Sequence, residues 1–132
     1  MIKPNTDPMK KPYLLPIFLL LFIGCSTEDT NKVNPEEVDE LNKVAFEKMN
    51  AIRSGEKITG QIEFYYENGQ KLSSGSFENG IKIGLHTEWH ENGTIAEQGR
   101  LENGKREGEW IDYNEDGSEK KRITYKNGNA TN

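Results

Sequence analysis

His86, Glu88 and His90 occupy alternate positions of one short segment, and imidazole with carboxylate is a ligand set that holds zinc. Side chains two apart on an extended strand point the same way, so a strand here would put all three on one face. They would then stand about 6.5–7 Å apart along it. Convergence on one ion would require a strong twist or a bulge. Glu88 and Asp112, 24 residues apart, form a second candidate, a carboxylate pair for acid–base work. Residues 25–132 hold 21 acids, so such pairs arise easily, and a flat sheet encloses no pocket around them. No Ser/His/Asp arrangement, phosphate-binding loop or Cys/His metal spacing is present. The glycines come after Asn or Asp, in turns. The chain is therefore expected to be no enzyme, with no cofactor and no metal. Cys25 is the only cysteine, so no disulfide can form within one chain.

The elements around these residues follow from a strict 24-residue period. Asn68-Gly69, Asn92-Gly93 and Asp116-Gly117 form one series of turn signals, and Asn79-Gly80, Asn103-Gly104 and Asn127-Gly128 form a second. Asn-Gly and Asp-Gly supply the positive φ angles of tight hairpin turns. Two turns per period leave room for two strands of about 5–8 residues, so the unit is a β-hairpin. Strands are expected near 58–66, 71–78, 85–90, 95–101, 109–113 and 119–126, with residues 129–132 a frayed tail. The predicted fold class is mostly β: a single-layer antiparallel sheet of hairpin repeats over 58–128, preceded by one α-helix.

Aromatic residues keep step with the turns: Tyr65, Trp89 and Tyr113 in one register, Phe77, Leu101 and Tyr125 in another. The columns of the histidine trio hold Ile62, Phe64, Tyr66 in the first unit and Trp110, Asp112, Asn114 in the third, so the trio is local variation. A single layer has a thin core and leaves some rings partly exposed, where a partner can dock. Tyr65, Trp89, Trp110 and Tyr113 are the candidate interaction face. Packing between repeats is the competing role for the Tyr65/Trp89/Tyr113 row, and a half-covered row does both.

Ahead of the repeats, Asn34 suits an N-cap, Pro35 the first helical position and Glu37 a capping-box spacing. Val38, Leu41, Ala45, Met49 and Ile52 recur at intervals of three and four, which predicts an amphipathic helix over 35–54. Gly55 is placed to end it. Its apolar stripe is expected to cap the open end of the first hairpin.

Lys10-Lys11 followed by an apolar run from Tyr13 to Ile23 reads as a secretory signal over 1–24, too short for a span. Translation could begin at Met1 or at Met9. Phe22-Ile23-Gly24-Cys25 resembles a bacterial lipoprotein lipobox, in which cleavage exposes a cysteine that becomes acylated. This resemblance implies lipid attachment at Cys25, a lipidated tether over 25–34 and a membrane-held domain. It implies residence at the outer membrane, on the periplasmic face or at the cell surface. Ser26-Thr27-Glu28-Asp29 resembles the acidic export signal of surface lipoproteins. Residues 25–132 carry 14 basic and 21 acidic residues, a balance that repels nucleic acid.

Gly108-Glu109-Trp110-Ile111-Asp112-Tyr113 with Asp116-Gly117 resembles the core of MORN repeats in their bacterial variant form. Tyr65 to Leu72 and Phe77 to Gly84 are similar to the rest of that unit. His86 and Ile62 depart from it where Trp110 keeps the tryptophan. The resemblance implies an elongated sheet of stacked hairpins used for protein contacts or membrane association. Bacterial proteins of this type are often classed as YwqK-type antitoxins, which implies a toxin as the protein partner. For an exported chain an immunity role in the periplasm fits that class better than a cytoplasmic one. A structural envelope lipoprotein without a toxin partner is the alternative.

Overall fold

The computed structural model describes residues 32–131. The signal segment 1–24, Cys25 and most of the tether lie outside those residues. Among the described residues no helix is long and apolar enough to cross a membrane.

Pro35–Glu37 form one 3-10 turn that runs into α1 (Val38–Arg53). Asn34 caps the start: its Oδ1 accepts the Glu36 N–H at 3.2 Å, satisfying an amide that has no partner within the helix. At the other end Gly55 has φ +92°. Its N–H reaches Ile52 O while the Glu56 N–H reaches Ala51 O, the paired bonds of a Schellman stop.

Seven strands follow: β1 (Gly60–Tyr65), β2 (Lys71–Glu78), β3 (Ile81–Trp89), β4 (Ile95–Glu102), β5 (Lys105–Tyr113), β6 (Glu119–Lys126) and β7 (Asn129–Thr131). They form one sheet in chain order, each antiparallel to the next. The expected single-layer hairpin array is the observed one, with two differences. β3 and β5 begin at Ile81 and Lys105, four residues before the expected starts. Gly84 and Gly108, with φ +69° and +70°, sit inside these strands beside register shifts, and do not open them. The expected tail over 129–132 is also overturned, because Asn129–Thr131 pair with Thr124–Lys126 as β7.

The two turn series differ physically. Asn79, Asn103 and Asn127 have φ of 51°, 49° and 51°, and the following glycines have φ of 80°, 75° and 83°. Two consecutive positive φ angles in a two-residue loop make a type I′ turn, which matches the twist of the flanking strands. In the other series only the glycine is left-handed, as at Gly69 with φ +83°. There the Asn68, Asn92 or Asp116 side chain accepts the backbone N–H two residues on, an Asx turn that Asp forms as well as Asn.

Neighbouring units are tied by bonds that recur with the period. Gly80, Gly104 and Gly128 donate their N–H to Ile58, Lys82 and Arg106 carbonyls at 2.7, 2.9 and 2.9 Å. Asn68 and Asn92 donate side-chain N–H to Glu91 O and Glu115 O at 3.0 and 2.9 Å. Tyr66 Oη donates to Trp89 O at 2.8 Å, and His90 Nε2 stands 3.0 Å from Tyr113 O in the equivalent place.

The core lies on one face of the sheet. Direct cross-strand pairing runs Ile62–Gly75–His86–Gly99–Trp110–Ile123, so bulky side chains alternate with glycine at its centre. At the first unit Ala45, Met49 and Ile52 of α1 pack on Ile62, Phe64 and Phe77. Asn42 also closes the sheet edge. Its Nδ2 donates to Tyr65 O at 2.9 Å, and its Oδ1 accepts the Tyr65 N–H at 2.9 Å. The amide stands in for a missing strand on an edge that would otherwise invite pairing. α1 thus caps the array.

Candidate functional site

The sheet has two faces of different chemistry, and the candidate interaction residues are divided between them. Tyr65, Trp89 and Tyr113 end β1, β3 and β5, where each pairs across to Lys71, Ile95 and Glu119 beside a register shift. All three rings are half-buried. Trp110 lies three residues before Tyr113 on the same strand, and period-two alternation turns it to the opposite face. It is 3% exposed and offers no surface to a partner. The grouping of Trp110 with the other three rings is therefore corrected: its neighbours are the core row and not the Tyr65/Trp89/Tyr113 row.

On the open face, polar groups hold the first rings in place. Tyr65 Oη donates to Glu63 Oε2 at 2.8 Å, and Lys71 Nζ donates to Glu63 Oε1 at 2.8 Å. The same ammonium stands 5.6 Å from the centre of the Trp89 ring, within reach of its negative π face. Burial alone would raise the Glu63 carboxyl, but the Lys71 and Tyr65 hydrogen bonds outweigh it and hold the carboxyl below its ordinary value. Burial and the adjacent carboxylate push the Tyr65 hydroxyl up to about 12. The result is a fixed strip of Tyr65, Lys71 and Trp89, flat and aromatic, with Tyr113 one unit further on. Such a strip can contribute large contact area at low entropic cost, because its rings are already held.

On the core face Trp110 is enclosed by side chains of its own unit and by the unit before it, whose His86 ring lies 5.9 Å away. The Arg106 guanidinium lies 3.9 Å from the ring centre, and Tyr125 meets the ring edge-on at 6.4 Å. The indole N–H donates to Arg100 O at 3.0 Å. A Cβ at Gly99 would overlap the Trp110 ring, and one at Gly75 would meet Lys82 Cε at 2.7 Å and His86 Nδ1 at 3.5 Å. Neither glycine has a positive φ, so packing is what favours glycine: at Gly99 the indole leaves no room for a Cβ, while at Gly75 the obstacle is the movable end of Lys82. This corrects the reading that the glycines serve turns alone. The signal was present, since Gly75 and Gly99 are also 24 apart and each stands two before Phe77 or Leu101.

The histidine trio is likewise rearranged. His86 and Glu88 share the core face, with Nε2 and Oε1 3.1 Å apart. His90 is engaged with the Tyr113 carbonyl in the position of Tyr66. Its place beside His86 is taken by Glu97, which pairs directly with Glu88 from β4. Asp112 pairs in turn with Glu97, so the carboxylates of Glu88 and Asp112 occupy one ladder row with Glu97 between them. Arg106 Nη2 contacts both Glu97 oxygens at 3.0 and 2.9 Å. Burial raises the Glu97 carboxyl, against the opposing pull of Arg106. Burial also lowers the nearby Lys82 ammonium. Glu97, Arg106 and the two packing glycines are the residues that spacing alone did not single out.

No curated protein and no solved structure matches this chain. The MORN repeat variant family matches residues 58–79, 82–105 and 106–127, and each matched segment contains one of the hairpin units. With about half of its length so matched and the expected sheet in place, the chain belongs to the MORN repeat variant family.

Proposed function

We propose that this chain is a membrane-tethered protein-docking module, held by acylation at Cys25, whose sheet presents the Tyr65/Trp89/Tyr113 strip to a protein partner. Repeats of this family suggest interaction with proteins or membranes. The observation that carries the narrower reading is the strip itself: three half-exposed rings on one face, in register, the first two pinned by Glu63 and Lys71. Aromatic groups at the centre of an interface contribute most of its energy when desolvated. The role is non-catalytic and needs no cofactor.

A toxin neutralised at the envelope is the kind of partner that fits an exported member of this family, so an immunity role is the specific form of the proposal. Residence follows the lipobox: outer membrane, at the periplasmic face or the surface. Capture of partner from envelope extracts tests it. Trp89→Ala or Tyr113→Ala should abolish capture while the circular dichroism of the sheet stays that of the parent. Undiminished capture by both variants would reject the strip as the docking face. Palmitate labelling that vanishes in Cys25→Ala supports the tether, whereas labelling that persists or never occurs rejects it. A structural envelope role without a toxin would instead show as altered envelope integrity on deletion, with no toxin encoded beside the locus.

A further inference from the structure

On the core face, in the middle of the array, a ladder row brings three carboxylates together beside His86. Glu88, Glu97 and Asp112 pair directly across β3, β4 and β5, and like charges placed opposite one another oppose strand pairing. Arg106 contacts Glu97, Lys121 pairs with Asp112 across β5 and β6, and Lys82 lies close by, its ammonium lowered by burial, so that the direct partner of Glu88 is His86. The unit preceding them has Phe64 and Ser73 in this row, so the acids are not required by the repeat.

His86 adds direction. Its side chain is nine-tenths buried, and its Nδ1 lies 3.0 Å from Ser74 O. A carbonyl only accepts, so Nδ1 carries a proton. Nε2 then faces Glu88 Oε1, 3.1 Å away, either as a second N–H or as a lone pair. In the second state two electron-rich atoms confront each other, and a cation belongs between them.

The distances suit one ion. Ligand bonds of about 2.1 Å in tetrahedral geometry separate two donors by roughly 3.4 Å, close to the gap between His86 and Glu88. Donor atoms of His86, Glu88 and Glu97 all lie within 4.8 Å of one another. Arg106 touches Glu97 through a single nitrogen, which leaves lone pairs on both oxygens. Ser74 O orients the imidazole, and Arg106 orients a carboxylate, as outer-shell groups do at metal centres. Glu88 is half exposed, so an ion has a path in and a fourth position open to water or to a donor from another molecule.

We propose that His86, Glu88 and Glu97 form a three-ligand site for a divalent transition ion, zinc above all, on the face opposite the aromatic strip. The site does not depend on the docking role, since the two surfaces share no residue. It replaces the single-strand trio by a pair from β3 and one acid from β4, and that removes the spacing problem.

The test is zinc titration of the untagged full-length chain, followed by imidazole nitrogen NMR. The chain has two histidines, so the resonances are assigned by one variant, His90→Gln. Zinc should shift His86 Nε2 and leave His90 unmoved. Glu88→Gln, at a half-exposed position, should weaken binding about tenfold or more, since even outer-shell changes cost that much. Adding Glu97→Gln should remove binding. Zinc that leaves His86 unperturbed overturns the site, as does unchanged affinity in Glu88→Gln.

Discussion

Two positions of the core row, Ile62 and Trp110, meet the same problem with different means. At Ile62 the uncovered face of a one-layer sheet is roofed by α1, through Ala45, Met49 and Ile52. At Trp110 there is no helix. Arg106 from the same strand lies over the ring, Tyr125 closes its edge, and Gly99 lets the ring rest against the backbone. Yet Trp110 is 3% exposed and Ile62 5%. Burial in a single layer therefore does not require a second layer. A long cation folded over an indole contributes attraction as well as cover, about 0.5–2 kcal/mol depending on desolvation. The difference also assigns roles. Where a helix supplies the roof, a small β-branched residue suffices. Where none is available, the unit keeps its tryptophan.

The comparison is broken most directly by Trp110→Ala. Loss of a buried tryptophan costs about 3–5 kcal/mol, and urea unfolding should show it, while Trp89→Ala on the open face should lower the midpoint far less. Equal losses would mean that the self-covered position is not a core. Gly99→Ala comes next. Overpacking costs about 1–3 kcal/mol, and the expected signature is a destabilised fold with altered tryptophan fluorescence, since the added methyl must displace Trp110. At the helical end, Asn42→Ala removes two bonds to Tyr65 and should cost about 1–2 kcal/mol. Faster hydrogen exchange at the Tyr65 amide, with no change at Trp110, would show that the two regions are stabilised independently.

The smallest effect belongs to the open face. Tyrosine ionises near pH ~10 in an unfolded chain, whereas the Tyr65 hydroxyl is pushed up to about 12 in the fold. Between those values the unfolded chain binds fewer protons than the folded one. The contribution of Tyr65 is then whole below about pH 10 and is lost as pH rises toward 12. Comparing unfolding at about pH 9 and about pH 11, Tyr65→Phe should lose less stability than the parent chain. An identical loss would show that Glu63 does not hold the phenol.

Much of this architecture was legible because the turn chemistry repeats. Asn79-Gly80 and its two successors demand positive φ at both positions, and few other dipeptides accept that. The helix limits were readable for a similar reason, from Asn34 at one end and Gly55 at the other. What escaped were features that depend on register. Gly84 and Gly108 look like strand starts, but they lie at irregularities inside longer strands, which only pairing reveals. Trp110 and Tyr113 lie an odd number of residues apart, so alternation separates them, and a column drawn from aromatic identity overlooked that. Glu97 could join His86 only once β3 and β4 were aligned, because a one-residue slip would have sent it to the other face. The seventh strand is three residues long, too short to carry any periodic signal.

Asp116 has a consequence of its own. Asn68 and Asn92 each accept the N–H two residues on and also extend an amide to a carbonyl in the following unit, whereas Asp116 has no hydrogen to give and only accepts, from the Ser118 N–H and hydroxyl. Both junctions between hairpins carry that amide bond, so the zipper is evenly toothed, but only β1 is clamped, by α1. Nearest-neighbour arrays yield at their weakest junction. A load pulling the ribbons apart would peel this one from the Tyr125 side inward, surrendering the last hairpin while the first held.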